Sequence, residues 1–275
     1  MEKTEKINKI IKKDCPYTVE KNALFFLEGN RIPSIEMERS LLGKVKAFLK
    51  NYGRIYYLLI SLFSPVKLSL AYRQTCGQLL AQYTDEHIIL NVGSGPHNFC
   101  GRKDIINIDI YAFDKVDIIA DATHLPIEAD SVDFVVATAL LEHVEHPEKA
   151  IGEMYRILRP GGSFLCYMPF IVPFHEAPND FFRWTAQGCQ KAFNNFSNVR
   201  IDIGVGPTGG MLWVFQEWFA TAFSFGIRKL HDILFILIMV VTSPMKFFDV
   251  ILEKFPTAEI ISSGHFVSGN KQTVS

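Results

Sequence analysis

The chain has 275 residues, 48% of them hydrophobic, and a formal net charge of -1. That composition excludes a disordered or acidic-tail class, and the charge balance argues against a nucleic-acid binder, which would present a basic stripe. Five scattered cysteines (Cys15, Cys76, Cys100, Cys166, Cys189), never in a CxxC pair, point to reduced thiols in the cytosol, away from a disulfide framework and away from a zinc site.

The opening "MEKTEKINKIIKKDCP" lacks the long apolar core and small-residue cleavage site of a secretory signal, and it reads as a polar first helix or a frayed end. Residues 1–66 are read as an N-terminal helical extension, and residues 67–275 as the main domain. From about residue 68 to 205, short β-branched runs alternate with amphipathic stretches, the mark of a βαβ architecture with a mostly parallel sheet. Ile88 to Val92, Ile105 to Ile110, Asp117 to Ala120, Val132 to Ala137 and Ser163 to Met168 read as five successive strands. Val199 to Val205 and Ile260 to Gly269 complete the set. Runs such as "FVVAT" are apolar on both sides, as a strand covered by helices on both faces requires.

Between the fourth and fifth strands, "HPEKAIGEMYRILRPGG" reads as a helix. Pro147 suits the first helical position, where its missing N–H is no loss. Ile151, Met154, Tyr155 and Leu158 fall on one face. Pro160 with Gly161 and Gly162 is expected to stop the helix and turn the chain into the next strand.

The first strand runs into Gly93, Ser94 and Gly95, a turn that lets backbone N–H groups approach a ligand with no side chain in the way. Asp109, followed by Ile110, ends the second strand beside it, where a carboxylate can accept both hydroxyls of a ribose. The alternative is a tight strand-exit turn with a capping acid. Asp121 follows the third strand, placed for an exocyclic amine or for capping its own loop. Asn98 stands where a dinucleotide fingerprint would have its third glycine, which disfavours hydride transfer. Only about ten residues, Pro96 to Ile105, separate the turn from the second strand, too few and too broken for a three-turn helix, so a loop or single turn is expected.

Taken in order, "ILNVGSGP", "INIDI", "ADATHLP", "SVDFVVATALLEHV" and "ILRPGG" resemble the successive motifs of the class I S-adenosylmethionine-dependent methyltransferases, most of all the type 11 branch. The resemblance implies an α/β, Rossmann-like, seven-stranded, mostly parallel sheet with flanking helices, and S-adenosylmethionine as cofactor. It implies Gly93, Ser94 and Gly95 at the methionine part, Asp109 and Ile110 at the ribose, Asp121 and the Ala122 backbone at the adenine, and Thr138 at the methyl end. Asn91 departs from the pattern: the family usually has an acid there, and an amide offers no charge to the cofactor's ammonium.

A sulfonium methyl is electrophilic already, so the chemistry calls for alignment and for no metal or covalent nucleophile. A hydroxyl acceptor benefits from a base. His175, in the loop "MPFIVPFHEAPNDFFRWT" after the fifth strand, is the candidate, since its ordinary pKa lies near working pH. Asp180 would orient it and Arg183 would hold an acidic substrate group. Alternatively Asp180 and Arg183 pair to rigidify the loop and His175 packs. His143 in "LEHV" is a rival base or a helix-start residue, and Cys100 is read as a bystander thiol.

Roughly fifty residues, about 206–257, separate the last two strands, where the resembled family has a short hairpin. "GGMLWVFQEWFATAFSF" and "ILFILIMVVTSPMKFFDVIL" are apolar nearly all round, and such helices must be buried in protein, in a partner or in lipid. Ile233 to Val241 falls short of the ~20 apolar residues of a span, and the run onward to Leu252 contains Pro244, Lys246 and Asp249. A hairpin of helices folded over the active-site edge is expected. Its residues 211–252 would cap an apolar substrate, rest on the inner face of a membrane, or form a homodimer interface.

Residues 36–83 are read as helices lidding the cofactor. The stretch around Cys15 faintly resembles small zinc-binding heads, with the metal lost. Two functions compete. One is a cytoplasmic S-adenosylmethionine-dependent methyltransferase acting on an oxygen of a small or lipid-linked acceptor, with no nucleic acid as partner. The other is a non-catalytic, membrane-associated scaffold that kept the fold.

Overall fold

The structure is a computed structural model, and it describes residues 2–20, 23–27, 58–59, 62–175 and 179–273. Of the stretch around Cys15, residues 11–20 and 23–27 are described, and residues 36–57 and 60–61 of the expected lid, residues 36–83, lie outside the described residues. Within the described part of the lid, helix α2 (Leu70–Ala81) is the one with full bounds, and it follows α1 (Lys3–Ile10). Ser69 caps α2, accepting a hydrogen bond from the Tyr72 N–H while its own hydroxyl donates to the Ile203 carbonyl. The cap thus both starts the helix and fixes it to a strand.

The strands in chain order are β1 (Thr18–Glu20), β2 (Ala23–Phe25), β3 (Ile89–Val92), β4 (Ile106–Asp109), β5 (Ile118–Ile119), β6 (Val132–Thr138), β7 (Leu158–Pro169), β8 (Ser197–Val205) and β9 (Gly264–Asn270). They form one sheet ordered β1-β2-β5-β4-β3-β6-β7-β9-β8. From β5 to β8 this is the expected seven strands, parallel except where β9 runs antiparallel to both neighbours.

The sheet has nine strands rather than seven, because the β1–β2 hairpin joins its edge, pairing Leu24 with Ile118 and Phe25 with Ile119. Strands of three residues are too short to show a period, which is why they were not legible.

The alternation of strand side chains builds two unequal layers. On one face Leu90, Val92, Ile106, Ile108, Val135 and Ala137 pack under α3 (Pro147–Ile157), α4 (Ala186–Ala192) and Ile10 of α1. On the other, Ile89, Ile105, Phe134, Val136 and Leu165 meet Tyr72 and Cys76 of α2. The described part of the expected lid therefore covers the sheet's second face. α3 forms as its periodicity predicts, burying Ala150, Ile151, Met154 and Ile157, each worth ~1–3 kcal/mol by area. It ends at Ile157, earlier than expected, because Leu158 already pairs with Val132. The glycine pair lies within β7 at a register irregularity.

The segment before β9 is helical, as expected: α5 (Pro207–Phe223), α6 (Arg228–Thr242), a 3-10 stretch Ser243–Phe248, α7 (Asp249–Leu252) and a second 3-10 stretch Pro256–Ile261. That last turn takes up the start of the expected final strand. Asp249, 1% exposed, caps α5 by accepting from the Thr208 and Gly209 N–H groups. Lys246 is also buried, donating to the Leu62 and Ser64 carbonyls. The charges inside the apolar run thus tie it to the domain.

Candidate active site

The carboxyl ends of β3, β4, β5, β6 and β7 converge on one edge, where open α/β sheets take their ligands. β3 exits into the glycine turn. The Gly93 and Ser94 N–H groups both donate to the Ile108 carbonyl, at 2.8 and 3.1 Å, which folds the turn back over β4. Gly93 has φ +69, and a Cβ there would stand 2.6 Å from Leu140 Cδ1, so no other residue fits. Gly95 has φ +56, a left-handed value that favours glycine, and a Cβ on it would meet nothing within 4 Å. Its face is open, leaving room for a ligand against the backbone. Ser94 turns its hydroxyl onto the Gly95 carbonyl.

Asp109 closes the turn from below. Its Oδ2 accepts the Gly95 N–H at 2.7 Å and its Oδ1 the Tyr111 N–H at 2.9 Å. Burial pushes its carboxyl upward, and N–H donation from Tyr111, Gly95 and Ile110 opposes that. Each carboxylate oxygen can accept more than one donor, so capping and ribose binding are compatible. Asp121 caps its own loop through Oδ1, which accepts from Thr123 N–H and hydroxyl, both at 2.8 Å, and leaves Oδ2 outside that turn. Ala122 packs at the margin of the core. Thr138, partly buried, ends β6.

Asn91 is held within the protein: its amide donates to Asn107 Oδ1 at 3.1 Å, and Asn107 in turn donates to Asn98 Oδ1 at 2.8 Å. This amide ladder fixes the loop after the turn to β3 and β4. That loop has a single 3-10 turn, Phe99–Gly101, as expected from its length.

The loop after β7 forms the other wall. Arg183 and Asp180 form a bidentate ion pair, and Arg183 also donates to the Val172, Pro173 and Phe182 carbonyls. The guanidinium holds Asp180, whose side chain is 1% exposed, down at about 2. The Asp180 Oδ2 accepts the His175 backbone N–H at 2.8 Å and stands 3.7 Å from its ring. Arg183 and Asp180 therefore take the rigidifying arrangement. The His175 ring lies between His143, edge to face at 5.3 Å, and Trp213 of α5, at 5.5 Å. A Cβ on Gly210 would stand 2.4 Å from the Ile171 carbonyl, so the start of α5 presses directly on this loop.

Glu142 was not singled out by the sequence. It sits just past β6, wholly buried, and among the described residues neither carboxylate oxygen has a hydrogen-bond partner. Burial pushes its carboxyl up to about 7. Its carbonyl receives the Phe181 N–H at 2.8 Å, and the Asn179 carbonyl receives the His143 ring, so the loops after β6 and β7 are strapped into one wall here. A glutamate next to a histidine in an otherwise apolar run, "ATALLEHV", was the available signal.

A cavity of about 490 Å3, lined by residues such as His87, Asp133 and Arg159, lies at the amino ends of β3 and β6, the edge opposite the glycine turn.

A family model described as "Methyltransferase domain" matches residues 102–166. The ubiquinone/menaquinone biosynthesis C-methyltransferase UbiE of Brucella canis is 45% identical over 47 residues, 17% of this chain. UbiE of Bartonella tribocorum is 43% identical over 47 residues. The match spans less than a fifth, 18%, of those relatives' own length.

Among solved structures, the [4+2]-cyclase SpnF aligns with a TM-score of 0.46 and 16% identity, over 81% of this chain and 96% of its own. A Haemonchus contortus phosphoethanolamine N-methyltransferase 2 aligns at 0.46 and 15%, over 83% of this chain and 60% of its own. A possible histamine N-methyltransferase from Thermotoga maritima aligns at 0.45 and 15%, over 82% and 98%. The strand order and the matched segment carry the assignment. Residues 102–166 thus match a methyltransferase domain, and the sheet around them has the α/β order expected from the resemblance to the class I, type 11-like methyltransferases.

Proposed function

We propose that the chain transfers a methyl group from S-adenosylmethionine to an oxygen of a small or lipid-linked acceptor. The observation that carries the reading is the open face at Gly95, flanked by the Asp109 and Asp121 carboxylates on adjacent strand ends. In this reading Gly93, Ser94 and Gly95 take the methionine part, Asp109 and the Ile110 backbone the ribose, and Asp121 and the Ala122 backbone the adenine. Thr138 lines the methyl end. The cofactor supplies an activated methyl on a positively charged sulfur. The protein's work is to set the acceptor oxygen in line with it.

His175 is the proposed proton acceptor: the hydroxyl proton passes to its ring as the C–O bond forms and the C–S electron pair returns to sulfur. Asp180 and Arg183 act on the reaction through the loop they hold, by positioning His175. Labelled cofactor incubated with soluble and membrane extracts tests the reading. It predicts label in a hydroxylated small molecule or lipid, and label confined to carbon, amines or protein would refute the oxygen acceptor.

The non-catalytic scaffold stays as a second reading because Asn91 is committed to Asn107 and brings no charge to the cleft. Calorimetry separates the two. An enzyme binds S-adenosylhomocysteine and loses affinity in Asp109→Ala, whereas a scaffold does neither.

Peripheral membrane contact through residues 211–252 forms part of the proposal. Trp218, Phe225, Leu237, Val241 and Phe248 are all more than half exposed on the α5–α6 hairpin and the turn that follows, and Phe225 at its tip is 85% exposed. The run Arg228–Leu252 is long and apolar enough to cross a membrane by length and composition. Crossing would tear Lys246 and Asp249 from their partners, and an in-plane hairpin keeps both. Co-sedimentation with anionic vesicles tests it: no binding of the intact chain would reject lipid contact, and a concentration-dependent dimer that buries the hairpin would replace it.

A further inference from the structure

Glu142 poses a problem the methyl-transfer reading leaves unanswered. A buried carboxylate with no donor is costly and calls for a proton, a water or a cation. Its oxygens lie beside two imidazoles. His143 Nε2 is 3.7 Å from Glu142 Oε1, and one ligand atom from each of Glu142, His143 and His175 lies within 4.8 Å of the others.

The rings are held by their opposite nitrogens. His143 Nδ1 meets the Asn179 carbonyl, and His175 Nδ1 meets the Pro173 carbonyl at 3.1 Å, closer than Arg183 Nη2 at 3.4 Å. A carbonyl only accepts, so both Nδ1 atoms carry the proton and both Nε2 lone pairs are available. A carbonyl on the far nitrogen is the usual outer support of a metal-ligating histidine.

We propose that Glu142, His143 and His175 together bind a divalent first-row transition ion at the acceptor wall of the cleft. Two imidazoles and one carboxylate suit a zinc-like or iron-like ion, whereas magnesium and calcium prefer oxygen throughout. Ligand atoms ~2.0–2.2 Å from a shared ion stand roughly 3–4 Å apart. The Glu142–His143 pair is already at that spacing, and a rotation of the His175 side chain brings in the third. Side-chain exposure rises from 0% at Glu142 through 12% at His143 to 29% at His175, so the ion's open position faces the cleft. Three protein ligands with one position open is the arrangement that polarises a bound oxygen.

The inference rests on the proposed methyl transfer and changes one step of it. An acceptor hydroxyl on the ion gives up its proton to bulk water, so His175 serves as ligand instead of base. The oxygen takes the methyl, and sulfur keeps the electron pair of the broken C–S bond.

The test uses the full chain, stripped with a chelator and titrated with cobalt(II) while visible d–d absorption is followed. One equivalent should bind. Glu142→Gln and His143→Gln should each weaken binding by more than ~100-fold, and His175→Gln by at least ~10-fold. Thermal melts show which variants fold, and either of the first two alone suffices. S-adenosylhomocysteine calorimetry on the same samples keeps the two claims apart. Cofactor binding without cobalt uptake, or cobalt uptake unchanged in the folded variants, overturns the ion site and leaves methyl transfer standing. Cobalt uptake lost in the variants, in a chain that binds no cofactor, supports the ion site and removes the methyl-transfer reading.

Discussion

The two walls of the cleft are built by different means. The cofactor wall, β3 to β5, is made of backbone: the Gly93 and Ser94 N–H groups on Ile108, and the Gly95 N–H on Asp109. The acceptor wall, from Leu140 to Trp184, is made of side chains: Arg183 stapling a loop, Glu142 buried without a donor, Trp213 leaning in from the insert. A wall of backbone tolerates few residues at its turns, so it leaves motifs. A wall of side chains is a set of long-range coincidences and leaves almost none.

The largest effect expected from this contrast is at Gly93. Gly93→Val places a branched side chain at positive φ against Leu140, and should abolish S-adenosylhomocysteine binding or destabilise the domain by ~3 kcal/mol or more, read by calorimetry and melting. Asp109→Ala removes an acceptor from the Gly95 N–H and from the proposed ribose. It should weaken cofactor binding by ~10–100-fold while the protein stays folded.

The acceptor wall should break independently. Asp180→Asn leaves Arg183 without its buried partner and should lower stability by ~2 kcal/mol and expose the loop to proteolysis, with cofactor affinity within ~2-fold of the parent. If cofactor affinity fell as far as in Asp109→Ala, the walls would be one unit and the comparison would fail.

Phe225→Ser should reduce vesicle binding several-fold and leave the unfolding free energy unchanged within ~0.5 kcal/mol, since an 85% exposed side chain holds little of the core.

The smallest effect lies behind the cofactor wall. Arg102 joins Asp104 to the carbonyls of Leu80 and Tyr83 at the end of α2 and holds the Asp104 carboxyl below its ordinary value. A depressed carboxylate stabilises the fold above its unfolded pKa, ~3.9, and that stability is lost as pH falls through the lower folded value. Asp104→Asn should lower the melting temperature slightly at pH 7, where that contribution is fully present, and converge on the parent as the pH falls below about 4, flattening the acid limb of the profile.

Much of the fold was legible because its signals are local. Apolar runs between turns marked the seven core strands, and the 3.6 periodicity of Ile151, Met154 and Tyr155 marked α3. The end of α3 was misplaced because Leu158 answers to its partner Val132, a contact no local pattern encodes. The β1–β2 hairpin was invisible for a similar reason: three-residue strands exist only because the sheet edge accepts them. Motif order was enough to place Gly93, Gly95, Asp109 and Asp121 together at the carboxyl edge of the sheet. The sequence left Asp180 and Arg183 between two roles, and only their bidentate pair shows the staple. Glu142 read as one more letter of an apolar stretch, since burial without a partner is a property of the assembled wall.

Titration calorimetry with S-adenosylhomocysteine, run on the parent, Asp109→Ala and Asp180→Asn, tests the central claim most directly. The account predicts one site per chain, an affinity that collapses at residue 109 and holds at residue 180. No binding by the parent, or equal binding by all three, would contradict it.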